Sequence, residues 1–267
     1  MGLLPAGYRF SQGSLATSER CQRRFYLRYL RRLSWPAAAD AAGLAKEQGS
    51  VRGRLFHHLV HQHVLGLRVD EQVAANGDPV LAEWWANYLK NPPRGVPAGK
   101  AFPELELWVP LGPWRLTARF DRVVAGEDGR LCIVDWKTGR GEPAAYLDTW
   151  QTLVYCFVLC EAGSLITGGA SPTPAQVSLC YWPAAFPDQV QWYQYDQASH
   201  ARAREKLLGA VEVLAGLASR EAFAQTAEIQ HCLSCEYRSY CARGAGVGAG
   251  WEEEEEEDWG LEPGLEP

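Results

Sequence analysis

The sequence predicts an α/β domain, because strand-like and helix-like segments alternate along the chain. Five short segments have the composition and punctuation of strands, and the first three are joined by short polar turns, as in a meander. The strands are predicted at 102–111, 114–124, 131–137, 176–182 and 189–195. Helices are predicted from Ser14 to about Leu33, at 51–67, 78–90 and 144–162, and from Asp196 or Ser199 to about Leu217. The helix at 144–162 is apolar almost all round, which indicates that it is buried against the sheet.

The chain is long enough for one good hydrophobic core and has an ordinary apolar content, with 267 residues of which 47% are hydrophobic. We expect a domain at 1–243 followed by a disordered acidic tail at 244–267. No run of eighteen apolar residues predicts a membrane span, and the first ten residues lack a secretory pattern. The sequence therefore favours a cytoplasmic protein with no membrane contact.

The acidic tail dominates the formal net charge of −6, because residues 251–267 contain nine acidic residues and no basic ones. Without that tail, 26 basic residues face 23 acidic residues, so the rest of the chain carries a net charge of +3. Six arginines lie in the first predicted helix: Arg20, Arg23, Arg24, Arg28, Arg31 and Arg32. A mildly basic body with a local arginine cluster suits a polyanionic partner, though it does not demand one.

A hairpin with three charged residues is the first candidate site. Asp121 lies in the strand before a tight turn at 126–129, and Asp135 and Lys137 lie two residues apart in the strand after it. Residues two apart share one face of a sheet, so we expect two carboxylates and a lysine to converge there. Two carboxylates can hold a divalent metal, and a lysine can orient a metal-bound water. On this triplet alone, the alternative of a surface hairpin with solvent-facing charges is favoured.

Two predicted helices carry further candidates. Four histidines crowd the helix at 51–67, but the Glu of a zinc-protease motif is absent, so a structural role is expected for His58, His61 and His63. In the helix at 144–162, Gln151 and Tyr155 are four residues apart and share one stripe.

Four cysteines form the second candidate site. Cys232, Cys235 and Cys241 lie close together near the end of the domain, and Cys21 is the natural fourth ligand. Three clustered cysteines and one distant cysteine favour an iron–sulfur cluster over structural Zn²⁺, while free thiols remain the alternative. Such a site would join the first helix to the end of the domain. The other cysteines, Cys132, Cys156, Cys160 and Cys180, are interpreted as core residues.

Five motifs in chain order resemble those of RecB-like nucleases of the PD-(D/E)XK superfamily, in the branch with an iron–sulfur cluster. AddB-like exonuclease domains and CRISPR-associated adaptation nucleases have similar arrangements. The motifs are Cys21 with Cys232, Cys235 and Cys241; Gly53-x-x-x-His57; Arg119-Phe120-Asp121; Val134-Asp135-Trp136-Lys137-Thr138; and Gln151-x-x-x-Tyr155. The proline of the family name is absent, and Ala118 stands where the family often has Gly. The additional upstream Glu of the family corresponds to Glu104 or Glu106.

The resemblance implies a restriction-endonuclease-like mixed sheet flanked by helices, with a helical lobe tied by a [4Fe–4S] cluster. It implies a phosphodiesterase in which Mg²⁺ or Mn²⁺ is held by His57, Asp121, Asp135 and the backbone carbonyl of Trp136. Lys137 would position the attacking water or stabilise the phosphate oxygens. Gln151 and Tyr155 would bind the substrate strand, Tyr155 by stacking on a base.

The expected substrate is DNA, with single strands or ends, and a helicase or repair partner is compatible with the family. The main alternative is a non-catalytic nucleic-acid-binding module with a nuclease-like fold. The complete set of Asp121, Asp135 and Lys137 argues against that alternative. A second alternative, an iron–sulfur redox protein, lacks any electron-transfer partner motif in the sequence.

Overall fold

A computed structural model describes residues 2–35, 41–139 and 143–244. Its strands are β1 (Arg9–Phe10), β2 (Gly99–Leu111), β3 (Trp114–Gly126), β4 (Leu131–Lys137), β5 (Val177–Pro183) and β6 (Gln191–Gln194). Its helices are α1 (Gln12–Arg20), α2 (Gln22–Phe25), α3 (Ala41–Val64), α4 (Asp70–Asn76), α5 (Pro79–Lys90), α6 (Trp150–Ala162), α7 (Ser164–Thr167), α8 (Gln197–Gly216) and α9 (Gln230–Leu233). The predicted acidic tail lies outside the described residues.

The strands form one mixed sheet, in the order β1-β3-β4-β5-β6, with β2 paired to β3 along its length except at Glu104. β1 is parallel to β3, β4 is antiparallel to β3, β5 is parallel to β4, and β6 is antiparallel to β5. Since β2 occupies one edge of β3, the strands β1 and β4 share the other edge. They pair with opposite ends of β3, which leaves a notch between them beside 117–121.

Helices cover both faces of the sheet, as the sequence predicts. On one face, the apolar side of α6 packs with residues such as Phe120 and Ile133 in a core that also takes in α1 and α8. On the other face, α3 and α5 cover β4 and β5 through a core rich in tryptophan and phenylalanine. Its largest members are Phe56, Trp84, Trp85, Trp136 and Trp182. The mixed sheet flanked by helices is therefore confirmed.

The first predicted helix was wrong in its continuity. Ser11 caps α1 and exchanges hydrogen bonds with Ser14, so Ser14 is the third residue of the helix rather than its cap. The helix ends at Arg20, because Cys21 is extended, with φ −161° and ψ 107°. The Cys21 thiol accepts the amide hydrogen of Arg24 at 3.4 Å and so caps the next short helix. A π-helical turn at Tyr26–Leu30 completes the segment.

Other helix boundaries moved less. α3 begins ten residues before the predicted Val51 and ends at Val64. A 3-10 turn over Pro143–Asp148 replaces the first part of the helix predicted at 144–162, and Thr149 caps α6. Within the described residues, no helix is both long enough and apolar enough to cross a bilayer.

Candidate active site

The notch beside β3 opens where β3 and β4 diverge. Their ladder runs from Ala125 opposite Leu131 to Arg122 opposite Val134 and goes no further. Beyond it, the Asp121 carboxylate accepts the Trp136 amide hydrogen through Oδ2 at 2.8 Å. The Asp121 side chain is 11% exposed, so it closes the gap between the strands while remaining reachable from the notch.

α3 brings a histidine to the same carboxylate. His57 Nδ1 lies 3.1 Å from Asp121 Oδ1, and the His57 side chain is only 4% exposed. Gly53, one turn earlier, makes this approach possible, because a Cβ atom there would lie 2.7 Å from Thr138 Oγ1. Gly53 thus lets α3 lie close to the end of β4, and this approach brings His57 to Asp121 of β3.

Opposing effects act on the pKa of Asp121. Burial raises this pKa, while the His57 ring, the Trp136 amide and the charge of Lys137 lower it. The net result is a pKa below its ordinary value, so Asp121 is ionised at neutral pH. An ionised carboxylate at the mouth of a notch can bind a cation, and it can accept a hydrogen bond from a donor.

Asp135, Lys137 and Gln151 form a closed triangle of polar contacts. Lys137 Nζ lies 3.0 Å from Asp135 Oδ2 and donates to Gln151 Oε1 at 2.8 Å. Gln151 Nε2 donates to Asp135 Oδ1 at 2.8 Å. The side chains of Lys137 and Asp135 are 2% and 1% exposed. The alternation of β4 therefore places both residues on one face, as expected, and α6 supplies the amide that joins them.

Two aromatic rings enclose the lysine, and sequence reasoning missed both. Lys137 Nζ lies 5.1 Å from the ring centroid of Tyr146 and 5.3 Å from that of Tyr181, within range of cation–π attraction. The Tyr181 hydroxyl contacts Thr152 Oγ1 at 2.7 Å, and burial raises the pKa of Tyr181. Tyr181 is identified as a neighbour of the site by its position in the sheet. β5 is parallel to β4, and their register places Tyr181 directly beside Asp135.

The family model that describes sequences of the PD-(D/E)XK nuclease superfamily matches residues 9–242 of the chain. The chain belongs to this superfamily. No curated protein matches it. Among solved structures, a "putative exonuclease" from Eubacterium rectale aligns over 92% of this chain and 91% of its own, with a TM-score of 0.51 and 10% identity. That likeness concerns the fold. The protein SSO0001 aligns over 88% of this chain and 86% of its own at 14% identity, with a lower TM-score of 0.42.

In this member of the nuclease superfamily, the position of Tyr155 differs from the base-stacking position that the resemblance implied. Its side chain is buried, and its ring centroid is 4.9 Å from that of Phe120 in the core. No exposed ring face is available for stacking on a base, because the α6 stripe that carries Gln151 to the site turns Tyr155 into the core. Trp136 is also buried, against Trp182 at 5.5 Å between ring centroids, so only its backbone borders the notch.

The two candidate upstream glutamates of the nuclease differ in position. Glu104 stands opposite Asp121 in the β2–β3 register, where the backbone pairing is interrupted and Glu104 has a φ of 49°. Its carboxylate binds Arg119, with Nε at 2.9 Å and Nη2 at 2.8 Å. Glu106 is exposed one step further away. A left-handed backbone at a non-glycine residue is costly and is often found at functional sites, so Glu104 is the better candidate.

The donor set of the site suits a divalent cation. Two carboxylates provide the oxygen ligands that Mg²⁺ prefers, and an imidazole makes Mn²⁺ more acceptable. In the described residues, however, no three His, Cys, Asp or Glu side chains are arranged as a ready ligand group. His57 contacts Asp121, and Lys137 contacts Asp135. Binding of a cation would therefore loosen contacts that these residues make with each other.

The four candidate cluster ligands meet at one cavity of the nuclease domain. Three arginines also line this cavity. The four cysteines and three arginines of the lining are Cys21, Cys232, Cys235, Cys241, Arg24, Arg238 and Arg243. Burial raises the pKa of Cys235 to about 12 and also raises that of Cys241. The break at Cys21 explains how the first segment reaches this place, since an extended residue turns its thiol out of the helical path.

Proposed function

We propose that the chain is a metal-dependent deoxyribonuclease that acts on DNA ends or single strands. The observation that supports this proposal is that Asp121, 11% exposed at the notch, and the buried pair Asp135 and Lys137 lie at the same end of the sheet. Superfamily membership supports phosphodiester hydrolysis, and the exonuclease name of one structural neighbour is consistent with action on ends.

The residues of the site would divide the work. The metal ligands would be His57, Asp121, Asp135 and the backbone carbonyl of Trp136. A bound Mg²⁺ or Mn²⁺ supplies an activated water and offsets charge on the scissile phosphate. Lys137, released from or shared with Asp135, would donate hydrogen bonds to the attacking water or to the phosphate oxygens. Gln151 would hold Asp135 and Lys137 in register through its two amide hydrogen bonds.

The test is cleavage of end-labelled DNA by the full-length protein with Mg²⁺ or Mn²⁺, with chelator as control. Metal-dependent shortening of single-stranded DNA supports the proposal, and the product ladder distinguishes exonuclease from endonuclease action. The alternative, a non-catalytic nucleic-acid-binding module, predicts DNA binding with no cleavage in any metal. A helicase or repair partner belongs to the same proposal and would be tested by copurification with the purified nuclease.

We also propose that Cys21, Cys232, Cys235 and Cys241 ligate a [4Fe–4S] cluster, as in RecB-like and AddB-like nucleases. Support comes from the shared cavity and from its arginines, which suit a cluster with anionic thiolate ligands. The cluster would tie the segment before α2 to the segment around α9, and so close the nuclease domain. Iron and sulfide in near equal amounts after anaerobic purification would support it, whereas stoichiometric zinc without iron would favour a structural zinc site.

A further inference from the structure

One face of the β2–β3 hairpin is open to solvent beside the candidate active site. Leu105, Leu107 and Val109 of β2 point into the core beneath α6, so the intervening residues point the other way. Among these, Trp108 is 47% exposed. An exposed aromatic ring on an open sheet face can serve as a platform on which a base stacks.

Two arginines lie on the same face as this tryptophan. The Arg115 guanidinium lies 4.4 Å from the Trp108 ring centroid, a cation–π contact that fixes the ring on one side. Arg9 of β1 is the register partner of Arg115, and both side chains are exposed. Neighbouring strands are about 4.8 Å apart, so the two arginine side chains leave the sheet side by side, and their like charges favour an anion nearby.

The same face leads to the catalytic carboxylate. Trp108 stands opposite Thr117 in the register, and Thr117 is four residues from Asp121 along β3. At about 3.3 Å per residue, the aromatic platform lies about 13 Å from Asp121 along the strand direction. Arg119 lies between them, but Glu104 neutralises it at 2.8 Å. Arg9 and Arg115 place exposed positive charge at the end of the path that is far from Asp121.

We propose that the exposed face formed by Arg9, Trp108 and Arg115 binds single-stranded nucleic acid and guides it to Asp121. Trp108 stacks on a base, and the two guanidiniums contact the flanking phosphates. This inference rests on the proposed nuclease function and names the substrate path of the same site. A single strand fits better than a duplex, because only unpaired bases offer a free face for stacking. A protein partner fits less well, because the Arg115 guanidinium lies against the Trp108 ring and two further exposed charged residues, Arg9 and Glu106, share the face.

The first test measures affinity of the full-length protein for a labelled single-stranded oligonucleotide in chelator, where no cleavage occurs. Loss of one stacked base by alanine substitution is worth about 1–3 kcal/mol, so Trp108→Ala should weaken binding at least about fivefold. Trp108→Phe should keep most of the affinity, because a phenyl ring also stacks. Leu165→Ala is the matched control, since Leu165 is 74% exposed on α7, and it should change nothing. Equal affinities for Trp108→Ala and wild type would overturn the proposal, as would an equal loss on duplex DNA.

The second test concerns the arginines. Arg115→Ala should reduce the slope of log affinity against log salt by about 0.7, the value for one lost phosphate contact on a single strand. Arg202→Ala, which removes an exposed arginine of α8 on the other side of the sheet, should leave the slope unchanged. An unchanged slope for Arg115→Ala would contradict the phosphate contact.

A small phosphodiester reporter such as bis(p-nitrophenyl) phosphate separates this inference from the proposed function. It reaches the notch without crossing the face, so Trp108→Ala should hydrolyse it at the wild-type rate. A wild-type protein that hydrolyses neither reporter nor DNA refutes the nuclease function. A wild-type nuclease whose binding of single strands ignores Trp108 refutes the path alone.

Discussion

Removal of the Lys137 ammonium should destabilise the protein as well as inactivate it. Lys137 and Asp135 are 2% and 1% exposed and lie 3.0 Å apart. Lys137→Met keeps the length of the side chain but removes its charge, so the buried Asp135 carboxylate loses an ion pair. Breaking a buried pair in this way costs about 3–5 kcal/mol, a large part of the total stability of about 5–15 kcal/mol.

The structure offers a matched control for this prediction. Arg130 and Asp128 form a pair with an even shorter separation, 2.6 Å, but their side chains are 57% and 47% exposed. Arg130→Ala should cost far less stability than Lys137→Met, because an exposed pair is screened by water. Burial rather than distance is thus the variable that the comparison tests.

The assay is denaturant-induced unfolding of the Lys137→Met, Asp135→Asn and double variants, followed by circular dichroism. The double variant removes both charges, so its loss should be smaller than the sum of the two single losses. Single-variant losses below about 1 kcal/mol, or strictly additive losses, would refute the argument that these two residues depend on each other in the folded state.

Three further predictions follow from local features. Because the pKa of Asp121 is lowered, its ionisation stabilises the fold above the ordinary carboxyl pKa and this stabilisation is lost as pH falls through the lower folded-state value; Asp121→Asn should therefore flatten the acid side of a plot of melting temperature against pH. Gly53→Ala should lower stability despite its better helix propensity, because its Cβ would lie 2.7 Å from Thr138 Oγ1, and the added Thr138→Ala should restore it. Cys21→Ser should lose iron and stability together, measured by iron content and melting temperature; retention of full iron content would remove Cys21 from the ligand set.

Local patterns predicted most of the sheet and the pairing of Asp135 with Lys137. The period of two in β4 was enough to place Asp135 and Lys137 together, because a strand alternates its side chains regardless of its neighbours. The hairpin between β3 and β4 was equally local. The notch itself was not predictable, since it forms because β1 and β4, which are far apart in sequence, share one edge of β3.

Features set by competition between local and tertiary contacts were missed. The helix predicted through Cys21 is broken, because the Cys21 thiol accepts the Arg24 amide hydrogen and so caps a new helix, α2. The hydrophobic periodicity of the sequence does not reveal this option. Tyr155 shares a helical stripe with Gln151, but the core against Phe120 takes its ring. The contact of the Tyr181 ring with Lys137 depends on the register between β4 and β5, which only the folded sheet defines.

The most direct measurement of the central claim is the cleavage rate of end-labelled single-stranded DNA by Asp121→Asn in saturating Mg²⁺ or Mn²⁺. The amide can still accept the Trp136 amide hydrogen, so this variant should remain folded by circular dichroism and should still bind DNA. We predict a loss of about 100-fold or more, with wild-type rates for Asp188→Asn, which alters an exposed carboxylate outside the notch. Cleavage by Asp121→Asn at the wild-type rate would contradict the assignment of the notch as the active site.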